Sequence, residues 1–239
     1  MSGPDAVLRA IVFTEDHLRL PVTVAAMAEA ASYSLYHFCR VFGRYTRHTP
    51  YDYLMRRRMT AAAHDVVTTD RKIVDVAMEF QFETHEGFTR AFHRLFAVSP
   101  TDARRRGGVC ATRRLPRLTG EHLACLQRQG GLPAELVRLP PEPVPAGGGT
   151  VRPPDGDLAL EGDYARFTLV GDEGELGLVL DWILHTWLFQ TGHELRLPDV
   201  VVRRGAPSRV FLPITGVTAG RGGPSAGRQP PRQERPRPR

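Results

Sequence analysis

Lysine is almost missing from these 239 residues. Lys72 stands alone, and the other 31 of the 32 cationic side chains are arginine. The base composition of a genome produces the same bias, so little rests on it. Cysteine is scarce too: Cys39, Cys110 and Cys125 are an odd, widely spaced set, which excludes a disulfide framework and a cysteine-based zinc site and leaves reduced thiols. The nine histidines show no metal-ligand spacing with them. No apolar run reaches the roughly 18 residues of a membrane-spanning helix. The opening MSGPDAVLRAIVFTEDHLRL is polar and acidic and lacks the charged-then-apolar layout of a secretory signal, so a cytoplasmic protein is expected. HExxH, a Walker-type glycine loop, GxGxxG and GxSxG are all absent, and with them the common signatures of metalloprotease, nucleotide, dinucleotide and serine-hydrolase chemistry.

What is present is charge in particular places. The net charge is +6, but residues 1–106 carry 15 cations against 12 acids, 107–218 carry 11 against 13, and the last 21 residues carry 6 against 1. Within 33–58 six arginines face a single acid, Asp52. Positive charge therefore gathers around this stretch and in the tail.

The chain also repeats itself at an offset of 50 residues. Ser34, Phe38, Arg40, Phe42, Arg44, Thr49 and Pro50 recur as Thr84, Phe88, Arg90, Phe92, Arg94, Ser99 and Pro100, and upstream Val24 and Glu29 recur as Val74 and Glu79. In each copy a hydroxyl at the N-cap opens a helix, and phenylalanines four apart share one face while arginines four apart share another.

Residues 5–106 read as almost wholly helical. Leu8, Ile11, Val12, Glu15 and Leu18 form a first stripe that Pro21 ends. Thr23 caps a short helix over 24–31, Ser34 a helix over 35–46, and Thr49-Pro50 opens a long helix through Tyr53, Leu54, Met59, Ala62, Ala63 and Val66. Asp70 caps a short helix with Ile73, Val76 and Ala77, Thr84 the next, and Ser99-Pro100 a last turn. The fold class expected is an all-α N-terminal domain of about seven helices, two helix-turn-helix units joined by a long helix, followed by a small α+β domain and a disordered tail.

From 107 glycine and proline dilute the periodicity. Residues 107–158 read as a linker with a helix at 119–129 and a strand at 135–139. A second ordered unit spans 159–215: YARFTLV (164–170) alternates as a strand, ELGLVLDWILHTWLFQTG (175–192) is an amphipathic helix, and VVVRR (200–204) and RVFLPI (209–214) are further strands. Residues 216–239, rich in Gly, Pro and Arg, cannot bury enough apolar surface to order themselves.

Tyr36, Arg40, Arg44 and Arg47 lie at i, i+4, i+8 and i+11, one helical face, opposite Phe38, Phe42 and Tyr45. A helix fits the major groove, where arginine donates two hydrogen bonds to a guanine edge, while other basic groups hold phosphates. The second copy offers Thr84, His85, Glu86, Thr89, Arg90, His93 and Arg94; Glu86 either accepts from a cytosine amino group or faces away. The competing interpretation of any single arginine is a solvated helix face. A helical-repeat array is disfavoured, because such arrays need about three repeats or more.

At this point MAEAASYSLYHFCRVFGRYTRHTPYDYLMRRRMTAAAHDVV and KIVDVAMEFQFETHEGFTRAFHRLFAVSPTDARR resemble the paired helix-turn-helix units of AraC/XylS-type transcription regulators, over about 100 residues. The resemblance implies that Tyr36, Cys39 and Arg40 sit where the first recognition helix reaches the groove, and His85, Glu86, Thr89 and Arg90 at the matching places of the second. Three positions where that family usually carries glycine hold Ser32, Arg47 and Gln81; if the backbone there is left-handed, each costs roughly 1 kcal/mol. The second unit is similar to the C-terminal half of GyrI-like small-molecule-binding domains, with much of the first half missing. Tyr164, Trp182 and Trp187 are the candidate effector-pocket walls, although the preferred interpretation makes them core aromatics. The family's pocket acid has no clear counterpart, with only Asp199 in LPDVVVRR.

The function these observations imply is a transcription regulator that binds a specific duplex DNA site, with RNA polymerase as a partner by resemblance, no cofactor, no metal and no catalysis. A small-molecule effector of the second domain is the open element. The alternatives are a regulator whose second domain is vestigial, a GyrI-like hydrolase, a repair enzyme with a catalytic cysteine, and an interaction module built on the tail.

Overall fold

The computed structural model describes residues 2–130, 132–143, 150–151, 159–170, 173–195, 200–203 and 207–215. The tail at 216–239 and Asp199 fall outside these.

The helical part consists of α1 (Gly3–Asp16), α2 (Val24–Ala30), α3 (Leu35–Thr46), α4 (Pro50–Thr68), α5 (Ile73–Glu79), α6 (His85–Phe96) and α7 (Pro100–Arg106). Hydroxyl caps set most of the starts: Thr23, Thr49, Thr84 and Ser99 each accept a backbone N–H two or three residues into the helix. Two expected caps are different. Ser34 occupies the N-cap without a side-chain bond, and the N-cap of α5 is Lys72 rather than Asp70. In α1 the buried stripe is Ala6, Val7, Ala10, Ile11 and Thr14, rotated from the expected one, and the helix stops at Asp16, well before Pro21.

The two turns explain why α2–α3 and α5–α6 look alike. After α2, Tyr33 N–H reaches the Ala28 carbonyl and Ser32 N–H that of Glu29; after α5, Phe82 reaches Ala77 and Gln81 reaches Met78. This is a Schellman closure, which needs a left-handed residue, and Ser32 (φ 59) and Gln81 (φ 66) supply it without glycine. Superposed this way, α5 follows α2 at an offset of 49, not 50. Buried Met27, Ala28 and Ala31 correspond to buried Val76, Ala77 and Phe80, so the Val24/Val74 and Glu29/Glu79 matches are accidental. Glu83 is the extra residue that restores the offset of 50 for α3 and α6.

Aromatic side chains fill the core. Phe38, Phe42, Tyr53, Phe88 and Phe92 have no exposed surface, each contributing roughly 2–3 kcal/mol by burial. Ring contacts run Phe38–Phe42–Tyr53 in one unit and Phe82–Phe88–Phe92–Phe96 in the other. Arginine carries much of the polar framework. Arg57 pairs with Glu15, which also accepts from Tyr53 (2.8 Å each). Arg58 and Arg104 donate to the carbonyls of Leu18 and Val66, and Arg9 to those of Ala30 and Ala31.

The stretch 107–158, expected to be a linker with one helix and one strand, contributes that helix and that strand to the packing. Leu115, Leu118 and Leu123 enter the helical core, whereas Cys125 and Leu126 enter the second one. Both sides of α8 (Gly120–Arg128) are thus committed. Strands β1 (Ala134–Pro143) and β2 (Thr150–Val151) belong to the same sheet as β3 (Ala159–Thr168), β4 (Val200–Arg203) and β5 (Arg209–Pro213), in the antiparallel order β1-β3-β5-β4-β2. Its boundary therefore lies before 134 rather than at 159. Across one face runs a helical rod: α9 (Leu176–Trp182), a π-helical stretch (Ile183–Trp187) and α10 (Leu188–Thr191). Within the stretch Leu188 N–H bonds the Ile183 carbonyl. Phe167 of β3 meets Trp182 and Trp187 edge-on.

Candidate nucleic-acid interface

The core phenylalanines fix the rotation of α3 and α6 and so decide what faces out. On α3, Tyr36 is 76% exposed, and Cys39, Arg40 and Arg44 are exposed beside it. On α6 the exposed set is Thr84, His85, Glu86, Arg90, His93 and Arg94. Arg40, Arg44, Arg90 and Arg94 make no ion pair among the described residues. Their charge is uncommitted, unlike that of Arg19 and Arg71, which are tied to Asp65 and Glu79. Thr84 also caps α6: its Oγ1 accepts Gly87 N–H at 3.0 Å. A Cβ on Gly87 would lie 2.9 Å from that oxygen, so the bare backbone there protects the cap.

Two expected site residues are placed differently. Arg47 does not extend the α3 face. It is the left-handed residue that ends the helix (φ 62), and its carbonyl accepts Gln190 Nε2 at 2.7 Å. Thr89 is half-buried, and its hydroxyl is shut off from solvent without a partner among the described residues. The charge count over 33–58 also divides. Arg40, Arg44 and Arg47 are exposed, whereas Arg56 and Arg58 are buried and Arg57 is half-buried in framework bonds. Nor are the three candidate effector aromatics assembled. Tyr164 packs with Val201 and Phe211 on one face of the sheet, and Trp182 and Trp187 lie on the other.

The residues the sequence did not single out form the seam between the two units. His48 has a fully buried side chain, with Nδ1 2.8 Å from Asp52 Oδ2 and Nε2 3.1 Å from Thr186 Oγ1 in the π-helical stretch. Burial holds His48 below its usual 6.5, against the pull of Asp52, and Arg56 adds to the lowering. The neutral ring therefore donates to Asp52 and accepts from Thr186. Burial alone would raise the Asp52 pKa, but the His48 bond and Arg56 outweigh it and hold the carboxyl low. Arg56 donates to the His185 carbonyl at 2.7 Å and lies 4.0 Å from the Phe189 ring centroid. Burial brings its pKa down to about 10. One signal was available: Arg56 sits three residues from both Tyr53 and Met59, on the apolar stripe of α4.

Residues 27–106 match a family model described as a helix-turn-helix domain. Regulatory protein SoxS of Escherichia coli K12 is 32% identical over 106 residues, which are 44% of this chain and 99% of that protein. The chain belongs to the AraC family of DNA-binding transcription regulators. Another relative, the right origin-binding protein of E. coli K12, is 35% identical over 95 residues, 40% of this chain and 33% of that protein. Among solved structures, the DNA-binding domain of AdpA in complex with a target DNA aligns at 24% identity over 42% of this chain and 91% of that one, with a TM-score of 0.41. The AraC-family match thus lies in the helical part. Among the described residues, no helix is long and apolar enough to cross a membrane.

Proposed function

We propose that this regulator occupies a specific promoter site as one chain, with α3 and α6 in successive major-groove segments about one helical turn, ~34 Å, apart. Such a footprint covers about 20 base pairs. The observation that carries this is the matched pair of helices, each with unpaired exposed arginines opposite a buried phenylalanine face, in two units joined by the long α4. Arg40 and Arg90 read base edges, Tyr36, His85 and Glu86 contribute at the helix starts, and Arg44 and Arg94 hold phosphates. The chain works in the cytoplasm and on RNA polymerase, without cofactor or catalysis, and the sheet unit is a regulatory attachment.

Selection of bound sequences from random duplex DNA, followed by affinity measurements over a salt series, tests the proposal. Affinity falls steeply with salt as phosphate neutralisation releases counterions. Arg40→Ala and Arg90→Ala relax specificity in different halves of the site, each by about 1–3 kcal/mol, whereas Arg44→Ala weakens all sequences alike. A uniform loss in all three variants would reduce Arg40 and Arg90 to backbone contacts, and no sequence preference at all would remove the proposal.

A further inference from the structure

A cleft of about 380 Å³ opens between α4, α6 and α10, within the size range of small-ligand sites. Its apolar walls are Met55, Met59, Leu95 and Phe189, and its charged residues are Arg56, Arg94 and Asp52. Arg56 is only 4% exposed. One of its N–H groups is satisfied by the His185 carbonyl, but Nε and Nη1 are buried with no hydrogen-bond partner among the described residues. A buried guanidinium normally has an acceptor for its fork. Asp52, one turn away, is bound to His48, and no carboxylate pairs with Arg56 among the described residues. Arg94, at the other side of the cleft, is likewise unpaired.

We propose that this cleft binds a small organic anion with an apolar body, its carboxylate-like head held by Arg56 and Arg94. Phe189 both stacks on the Arg56 guanidinium and lines the cleft, so a rotation of this half-buried ring opens Nε and Nη1 to the head group. The methionines, unbranched and adaptable, accommodate the body. A cation is disfavoured, because the two arginines outweigh Asp52 and Asp52 is already engaged. The ligand touches the long joining helix, the second helix-turn-helix unit and the rod of the sheet unit at once. On the proposed function, which assigns Arg94 to a phosphate, it also competes with DNA for that side chain. Occupancy of the cleft is a separate matter from DNA binding and is measured without DNA.

The test uses three ligands with one body and different heads: cyclohexanecarboxylate, cyclohexylmethanol and cyclohexylmethylammonium, each titrated calorimetrically into the full chain without DNA. The carboxylate binds saturably at one site, and the alcohol and ammonium bind roughly tenfold more weakly or not at all, as expected for loss of charge-assisted hydrogen bonds. Arg56→Met, which keeps the volume of a buried side chain, and Arg94→Gln, on an exposed side chain, each weaken the carboxylate by a similar factor. Equal binding of all three ligands, carboxylate binding untouched in both variants, or no saturable binding of the carboxylate overturns the site. A DNA-affinity measurement with saturating carboxylate then decides the competition: weaker DNA binding supports it, and unchanged binding refutes the shared use of Arg94.

Discussion

Four non-glycine residues in left-handed conformation close the recognition units: Ser32 (φ 59) and Gln81 (φ 66) before α3 and α6, Arg47 (φ 62) and Ala97 (φ 60) after them. Each carries a Cβ against the following carbonyl at about 1–2 kcal/mol. Replacing one with glycine removes that cost but adds unfolded-state freedom worth about 0.4–1 kcal/mol. The net gain is about 0.5–1 kcal/mol per site where the side chain does nothing else. Ser32 and Ala97 meet that condition, being exposed with no side-chain hydrogen bond among the described residues. Gln81 does not, because its Nε2 donates to the Arg19 carbonyl at 2.7 Å, so Gln81→Gly comes out near neutral. Ser32 and Ala97 belong to different units, so their effects add, and the double glycine variant gains about 1–2 kcal/mol, or roughly 2–4 °C in Tm for each kcal/mol in a chain of this size. Ser32→Ala, which keeps the Cβ, leaves Tm within about 1 °C. Calorimetric melting of these variants beside the unsubstituted chain decides it. A lower Tm for Ser32→Gly and Ala97→Gly, with Ser32→Ala unchanged, would show that these turns carry no left-handed strain.

The division of the arginines gives a contrast. Arg57→Met breaks a pair whose side chains are 13% and 7% exposed and costs about 3–5 kcal/mol in chemical denaturation, whereas Arg40→Ala leaves stability within about 0.5 kcal/mol and acts only on DNA affinity. The seam is acid-sensitive: burial holds His48 and His185 below 6.5 when folded, so the unfolded chain takes up protons first. Stability is complete above that value and falls as pH drops through it toward the folded values, and a Tm series from about pH 7.5 to 5.5 shows a decline that His48→Gln makes shallower. Thr186→Val leaves the His48 Nε2 buried without its partner and costs about 1–3 kcal/mol, with no change in the sequence preferred on DNA.

The helix-turn-helix pair was legible because local chemistry sets it: Thr49-Pro50 and Ser99-Pro100 each combine a capping hydroxyl with a proline suited to the first helical position, and the phenylalanine spacing commits one face inward. The single extra residue Glu83 was not, because an offset of 50 holds on both sides of the turn by coincidence, and only the carbonyl bonds to Tyr33 and Phe82 show the slip. The roles of Arg56, Arg57 and Arg58 were hidden for another reason. A guanidinium on a solvent face and one clamped on Leu18 or His185 carbonyls are the same letter, and the partners lie tens of residues away. That Tyr164 and the tryptophans lie on opposite faces of the sheet was not legible either, because strand alternation assigns a side chain to one of two faces without saying which one the helix covers.

The π-helical stretch also has the character of an insertion absorbed without a loop. A helix advances about 100° per residue, and the wide turn at Ile183–Trp187 accommodates an extra one. Removing a single residue there, for instance the half-buried Leu184, returns the rod to ordinary winding and swings everything after it by about that angle. Phe189 would leave the Arg56 guanidinium and Gln190 the Arg47 carbonyl, while α9 kept its seat on the sheet. One codon thus separates a chain whose two halves are keyed together from one in which they are merely joined, and the spacing of this rod, more than any side chain along it, is the coupling element.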